Sequence, residues 1–287
     1  MNTPVTSSSP APAYPVVEFG RSADHLPVAR VGDTAFAMVP TGDGRHFLAT
    51  GWRLSRPLAE WARSDFYGHS GLVVDEAAFR ALVADNAEHQ GEVAALGRQE
   101  LIVQANTPWG PSQGATLYAE GVMLHSTASH GGFQLTPGRN FSIHPALRRL
   151  KGFYEEDAEW AAVAQGLPDL FTSRERRQAE ETIRNFWPEA WENIHGRQLM
   201  PGESRERDRQ IFEQIHAEDW VVIAAVRSAC RPGFTETTAT RGGRRDAGAE
   251  RRSFLVPAAE YDPGRFGFVI DEARHEVWPD PAGRKRG

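Results

Sequence analysis

The densest chemistry in the chain is one phrase, His125-Ser126-Thr127-Ala128-Ser129-His130-Gly131-Gly132, which gathers imidazoles, hydroxyls and glycines. Imidazole titrates near neutral pH, so His130 could act as a general acid or base. Glycines at a turn tolerate positive φ and let a ligand approach the backbone. The amides of Gly131 and Gly132 could then stabilise an anion. A second phrase, Tyr154-Glu155-Glu156-Asp157-Ala158-Glu159-Trp160, supplies the carboxylates. If the stretch from Phe153 to Leu167 is a helix, Phe153, Asp157, Trp160 and Ala164 share a face. Asp157 would lie beside an apolar stripe, where an acid needs a partner, and orienting His130 is the role it fits. Ser129, Gly131, Gly132, Tyr154, Glu155 and Glu156 would complete a binding surface around that pair, framed by exposed Trp109, Trp187 and Trp191.

Other chemistries are excluded by residue type. The two lysines, Lys151 and Lys285, stand in no Gly-x-x-x-x-Gly-Lys context, so a phosphate-binding P-loop is absent. Gly68-His69-Ser70-Gly71 is one residue short of a nucleophile elbow. No His-Glu-x-x-His occurs. A metal set of His125, His130 and Asp157 is conceivable but follows no recognised spacing, so neither a metal nor a cofactor is expected. The lone Cys230 precludes an intramolecular disulfide and a Cys-based metal framework, and as a small apolar filler it needs no reactivity.

The chain has 287 residues, 40% apolar and 24% charged, with a net charge of −6. That balance suits a globular protein of one large or two modest domains, and argues against a strongly basic nucleic-acid binder. No run of 18 apolar residues offers a membrane-spanning helix. Residues 1–15 read as a disordered leader without the basic start and apolar stretch of a secretory signal. A cytoplasmic protein is expected.

The elements that must position the chemistry come from spacing. Strands are expected at 28–31, 34–39 and 46–50, separated by Gly-Asp turns. Helices are expected at 57–66 and 75–96. Two prolines and a glycine in Thr107-Pro108-Trp109-Gly110-Pro111 mark a boundary. Strands follow at 115–118, 122–127 and 132–135, then helices at 145–150 and 153–167. Thr172-x-x-Glu175 is a capping box that opens another helix. Beyond a Gly/Pro linker come a helix at 204–216 and strands at 220–226, 234–240, 253–256 and 266–270. Strands in succession favour antiparallel sheets and an α+β class. The expected organisation is the leader 1–15, an N-terminal α+β region 16–105, a central domain 106–196 and a C-terminal region 197–287 with a basic tail.

Five phrases occur in order: Thr107-Pro108-Trp109-Gly110, Ser129-His130-Gly131-Gly132, Arg139-Asn140, Phe153 to Trp160, and Asn185-Phe186-Trp187-Pro188 with Trp191-Glu192. Together they resemble a domain family of unknown function found in proteobacterial plasmids, genomic islands and phages. The resemblance covers about residues 106–196, and the flanks resemble the longer, plasmid-type members. It implies a mobile-element context and a cytoplasmic location, and carries no activity across.

The basic feature is the stretch from Arg241 to Arg252, with Arg241, Arg244, Arg245, Arg251 and Arg252 against Asp246 and Glu250. Arginine forks bind phosphate, and Arg284-Lys285-Arg286 could add to it. Three functional expectations follow. The leading one is an accessory protein that binds a macromolecular partner through the His130–Asp157 surface. Its rivals are an enzyme, hydrolytic or nucleic-acid-processing, with His130 as general acid/base, and a nucleic-acid binder acting through the Arg241–Arg252 loop.

Overall fold

Alternation in Thr34-Ala35-Phe36-Ala37-Met38-Val39 sends apolar side chains to both sides of one strand, so that strand must be covered on both faces. The computed structural model, which describes residues 15–278, builds a five-stranded antiparallel sheet around it. Its strands follow chain order: β1 (Val17–Arg21), β2 (Pro27–Val31), β3 (Thr34–Pro40), β4 (His46–Trp52) and β5 (Gly68–Val73). Gly32, at φ 54°, makes the tight connection between β2 and β3. Phe36, Met38 and Leu48 pack against Phe79, Val83 and Ala87 of helix α1 (Glu76–Leu96). Ala35, Ala37, Val39 and Ala49 face Leu58, Trp61 and Phe66 on the other side. The four-residue repeat 79, 83, 87 keeps one stripe of α1 buried. Asp75 caps its first turn by accepting from the Ala78 amide at 2.7 Å, and Gly97, at φ 60°, ends it. The helix expected at 57–66 is instead two short 3-10 turns, Leu58–Glu60 and Arg63–Asp65. Covering the sheet with Leu58, Trp61 and Phe66 decides their path over helical spacing.

The same unit, which runs through Ile183, holds a second antiparallel sheet. Its strands are β6 (Gln99–Leu101), then, after the small hairpin of β7 (Asn106–Thr107) and β8 (Gly110–Pro111), β9 (Gly114–Ala119), β10 (Val122–Ser126), β11 (Gly131–Leu135) and, beyond the short helix α2 (Pro137–Asn140), β12 (Phe153–Glu155). The spatial order is β12-β11-β10-β9-β6. Helix α3 (Trp160–Gly166) contributes Ala161 to Ala164 to the core, and α4 (Ser173–Phe186) contributes Ala179 and Ile183. The capping box forms as expected: Glu175 N–H donates to Thr172 Oγ1 at 3.1 Å, and Thr172 N–H to Glu175 Oε2 at 2.8 Å.

Two helix expectations fail here. Residues 145–150 form turns. The stretch 153–167 splits into β12, a turn and α3, because Gln134, Phe133 and Gly132 of β11 pair with Phe153, Tyr154 and Glu155. Gly152, at φ 69°, turns the chain into that register. A Cβ there would meet the Leu135 carbonyl oxygen at 2.6 Å, so the turn needs glycine. Phe153 and Asp157 therefore share no helix face.

The second unit begins at Arg184. It contains α5 (Pro188–His195), α6 (Arg205–Ile215) and a sheet of β13 (Trp220–Arg227), β14 (Phe234–Arg241), β15 (Arg251–Pro257) and β16 (Glu276–Trp278) in that order. Ser204 caps α6 through the Arg207 amide. Trp220, Ala239, Phe254, Val256 and Ile270 form the core. Residues 266–270 were expected as the fourth strand but make only a bridge, Val221 to Val269; β16 takes the place beside β15. Gly267, at φ 139°, bends the segment against Val221, where a Cβ would approach to 2.8 Å. Helices and antiparallel sheets together make the class α+β. The expected leader, apart from Pro15, and the basic tail lie outside the described residues.

Candidate functional site

The expected turn exists, with different residues at its bend. β10 and β11 are joined through Ala128 and Ser129: Thr127 N–H donates to the His130 carbonyl at 3.0 Å, and Thr127 Oγ1 accepts from the His130 amide at 3.3 Å. Ser129 and His130 are exposed at the tip. Gly131 and Gly132 are not turn residues. They are buried in β11, and neither has a positive φ. Their small size serves close packing. A Cβ on Gly132 would lie 2.3 Å from both Trp109 Cη2 and the Tyr154 carbonyl oxygen, and one on Gly131 would lie 2.5 Å from the His125 carbonyl oxygen.

The β11–β12 pairing carries Glu155 and Asp157 to this tip. His130 Nδ1 lies 3.9 Å from Glu155 Oε1, and ligand atoms of His130, Glu155 and Asp157 all fall within 4.8 Å of one another. The amides of the turn after β12 hold the acids in place. Asp157 N–H donates to Glu155 Oε2 at 2.9 Å, Glu155 N–H to Glu159 Oε2 at 3.1 Å, and Glu156 N–H to the Gly131 carbonyl at 3.1 Å. Glu155 Oε1 is closed to solvent and has no hydrogen-bond partner. The imidazole itself is 57% exposed. His130 and Asp157 thus meet through strand pairing rather than from a helix face, and the Glu155 carboxylate stands 3.9 Å from His130 Nδ1.

Several expected site residues do structural work. Tyr154 is fully buried, with its hydroxyl donating to Asn140 Oδ1 at 2.5 Å, so it cannot belong to an exposed binding surface. Burial pushes its phenol upward in pKa, the nearby amide of Arg149 opposing. His125 is buried between Ser112 Oγ at 3.1 Å and Gln134 Oε1 at 2.9 Å, which removes it from any metal set with His130. Glu156 is exposed, and its Oε2 lies where a Gly131 Cβ would be, at 2.6 Å. The tryptophans do not form an exposed frame. Trp191 is 3% exposed and stacks on His195, while Trp109 and Trp187 are half-buried.

The Arg241–Arg252 stretch belongs to the second unit. Arg241 and Arg252 are packed over Trp220, 4.2 and 4.6 Å from its ring, and both approach Glu272. Arg241 also donates to the Glu218 carbonyl at 2.6 Å. Arg244 and Arg245 are exposed and make no ion pair among the described residues.

A feature without a sequence motif lies in the first unit. A helix about 10 Å across covers roughly two strands spaced ~4.8 Å apart, so α1 leaves part of the five-stranded sheet bare. The result is a groove of about 870 Å³ between β3–β5, α1 and α4, with Trp52 and Tyr67 on the sheet side and Arg174 and Arg177 opposite. Both arginines are held by Asp85, and Glu181 also lines the groove, so the charges balance.

The first unit's second sheet, with its hairpin and paired acids, defines an α+β domain whose chemistry-bearing groups gather at one sheet edge. Residues 102–217 match the family model described as a domain of unknown function, DUF7007. That match includes His130, Glu155 and Asp157, while the Arg241–Arg252 stretch lies outside it. No curated protein and no solved structure matches the chain. Among the described residues no helix is long and apolar enough to cross a membrane.

Proposed function

We propose that the central stretch, residues 106–196, is a metal-dependent binding module. In this reading His130, Glu155 and Asp157 hold one divalent transition-metal ion and present its open coordination positions to a macromolecular partner. The carrying observation is the convergence of one imidazole and two carboxylates within 4.8 Å, with Glu155 Oε1 lacking a hydrogen-bond partner. Two ligands of a tetrahedral ion with bonds of 2.0–2.1 Å sit about 3.4 Å apart. The 3.9 Å between His130 Nδ1 and Glu155 Oε1 closes to that value by a small side-chain rotation. It is too long for a hydrogen bond. Three protein ligands leave positions free for a further donor, which is the pattern of reactive rather than purely structural sites.

An exposed imidazole on a hairpin tip favours a surface that meets a large partner over one that encloses a small substrate. This supports the accessory-protein reading, and the resemblance of the five phrases supports a cytoplasmic, mobile-element setting. The rival reading leaves His130 free of metal, as a general acid/base oriented by Asp157.

The test is calorimetric titration of the full chain with Zn²⁺, Mn²⁺ and Ni²⁺. One ion per chain is expected for at least one of them, lost in both H130A and E155Q. Absence of binding at millimolar metal, or binding unchanged in H130A, refutes the assignment.

A further inference from the structure

We infer that the surface of residues 137–152 is a docking site for an acidic peptide segment of a partner protein, anchored by one apolar side chain. In a chain of net charge −6, this stretch contains Arg139, Arg148, Arg149 and Lys151 and no acid at all. Within it, Leu150 is 100% and Phe141 73% exposed. Isolated exposed leucines are ordinary; Leu150 and Phe141 are not isolated, because both line one recess. The recess between them measures about 260 Å³ and is lined further by Leu135, Pro137 and Gly152, with Arg148 and Lys151 at its edge. That is below the range of about 300–1,000 Å³ usual for cofactor and drug-sized sites, and suits a single leucine- or phenylalanine-sized anchor of the kind that dominates interface energy.

The surface is built before any partner arrives. Arg148 donates to the carbonyls of Ile143 and Phe141 at 2.8 and 2.9 Å, and lies over the Phe141 ring at 5.4 Å. Asn140 Nδ2 donates to the Arg149 carbonyl at 2.8 Å, and the Arg149 amide donates to Tyr154 Oη at 3.1 Å. A framework held this way pays little ordering entropy on binding.

The same bonds select the partner's class. Arg148 is committed to carbonyls, Arg149 to Glu159, and Arg139 Nε to the Glu120 carbonyl. Two of the three guanidinium forks are thus taken, which disfavours bidentate capture of nucleic-acid phosphates. What remains is a positive field around an apolar seat, complementary to carboxylates flanking an apolar residue. Glu159 pairs with Arg149 and offsets its charge, which leaves Arg139, Arg148 and Lys151 to set the positive field; the acidic run Glu155 to Asp157 stands at the far end of β12, about 10 Å along the strand. The site needs no metal and uses none of the side chains of His130, Glu155 and Asp157.

The test is selection of a phage-displayed random peptide library on the full chain, repeated on the double variant L150S/K151E. Both replaced side chains are exposed, so the variant should melt with the wild type and bind metal as it does. Enriched peptides should carry a Leu, Ile or Phe flanked by Asp or Glu, and their affinity, measured by fluorescence anisotropy, should fall at least tenfold on the variant. No enrichment, enrichment without an acidic bias, or affinity unchanged by the variant overturns the proposal. So does variant-sensitive binding of duplex DNA or of anionic phosphatidylglycerol vesicles in place of peptide.

Discussion

Changing Glu175 to Gln should destabilise the N-terminal unit through a single ion pair, by an amount the geometry sets. Arg98 grips Glu175 with both arms, Nη1 to Oε1 at 2.8 Å and Nη2 to Oε2 at 2.6 Å, and Nη2 also donates to the Leu170 carbonyl at 2.9 Å. The guanidinium lies over the Tyr118 ring at 4.0 Å and near Phe171 at 5.6 Å. The two side chains are only 11% and 19% exposed. Breaking a fully buried pair by removing one charge costs about 3–5 kcal/mol. The remaining exposure screens this pair, so about 2–3 kcal/mol is expected for E175Q. For a unit of this size that lowers Tm by about 4–12 °C. Gln keeps an acceptor for the Thr172 amide, so the loss reports charge rather than the cap.

The double variant R98M/E175Q removes the stranded cation as well, and should recover about 1–2 kcal/mol relative to the sum of the single changes. pH supplies an independent readout. Burial pulls the Glu175 carboxyl upward, but the hydrogen bond from Arg98, the Thr172 amide and the Arg98 charge outweigh it and leave the pKa below its ordinary 4.5. A carboxylate depressed in the folded state stabilises above its unfolded pKa, and that contribution disappears as pH falls through the folded value. The gap between wild type and E175Q should therefore be full at pH 6 and shrink as pH drops below about 4.5. Calorimetric melts across pH 3–7, with hydrogen exchange at residues 172–176 as the local readout, make the measurement. Additive single changes, or a gap independent of pH, would refute this account.

Gly132→Ala should cost about 1–3 kcal/mol by overpacking, because its Cβ would meet both the Trp109 ring and the Tyr154 carbonyl at 2.3 Å; a melt unchanged within 1 °C would contradict this. His89, bonded to Thr172 Oγ1 at 2.9 Å, has its pKa lowered below 6.5, chiefly by burial and then by Arg174. Its unfolded form takes up a proton first, so stability should fall as pH drops below about 6.5 toward the folded value. His89→Gln should flatten that part of the wild-type profile between pH 7.5 and 5.5, which thermal melts at the two pH values will show.

Much of the scaffold was legible because its signals are local. Asp75 ahead of an apolar four-residue repeat and Gly97 behind it announce α1; Thr172 and Glu175 announce α4; Ser204 announces α6. Gly32-Asp33 between two apolar runs announces the β2–β3 turn. Each depends on bonds within a few residues, so the chain determines it with little help from its surroundings. His130 and Asp157 come within 4.8 Å of each other through the β11–β12 pairing, and not from the helix face that their spacing suggests.

What tertiary structure alone decided is which face each residue shows. Phe153, Tyr154 and Glu155 have spacing compatible with a helix, yet pairing with β11 makes them a strand, buries Tyr154 and turns Glu155 toward His130. Gly131 and Gly132 look like turn glycines, but Trp109 and the neighbouring carbonyls explain them. Trp191 looked like an exposed anchor, yet it is buried. The groove beneath α1 and the bare Leu150 have no sequence signature because they arise from what neighbouring elements leave uncovered. Local bonding is encoded in short stretches of chain, whereas burial and convergence depend on cross-strand partners far away in sequence, and those partners exist only once the sheets have formed.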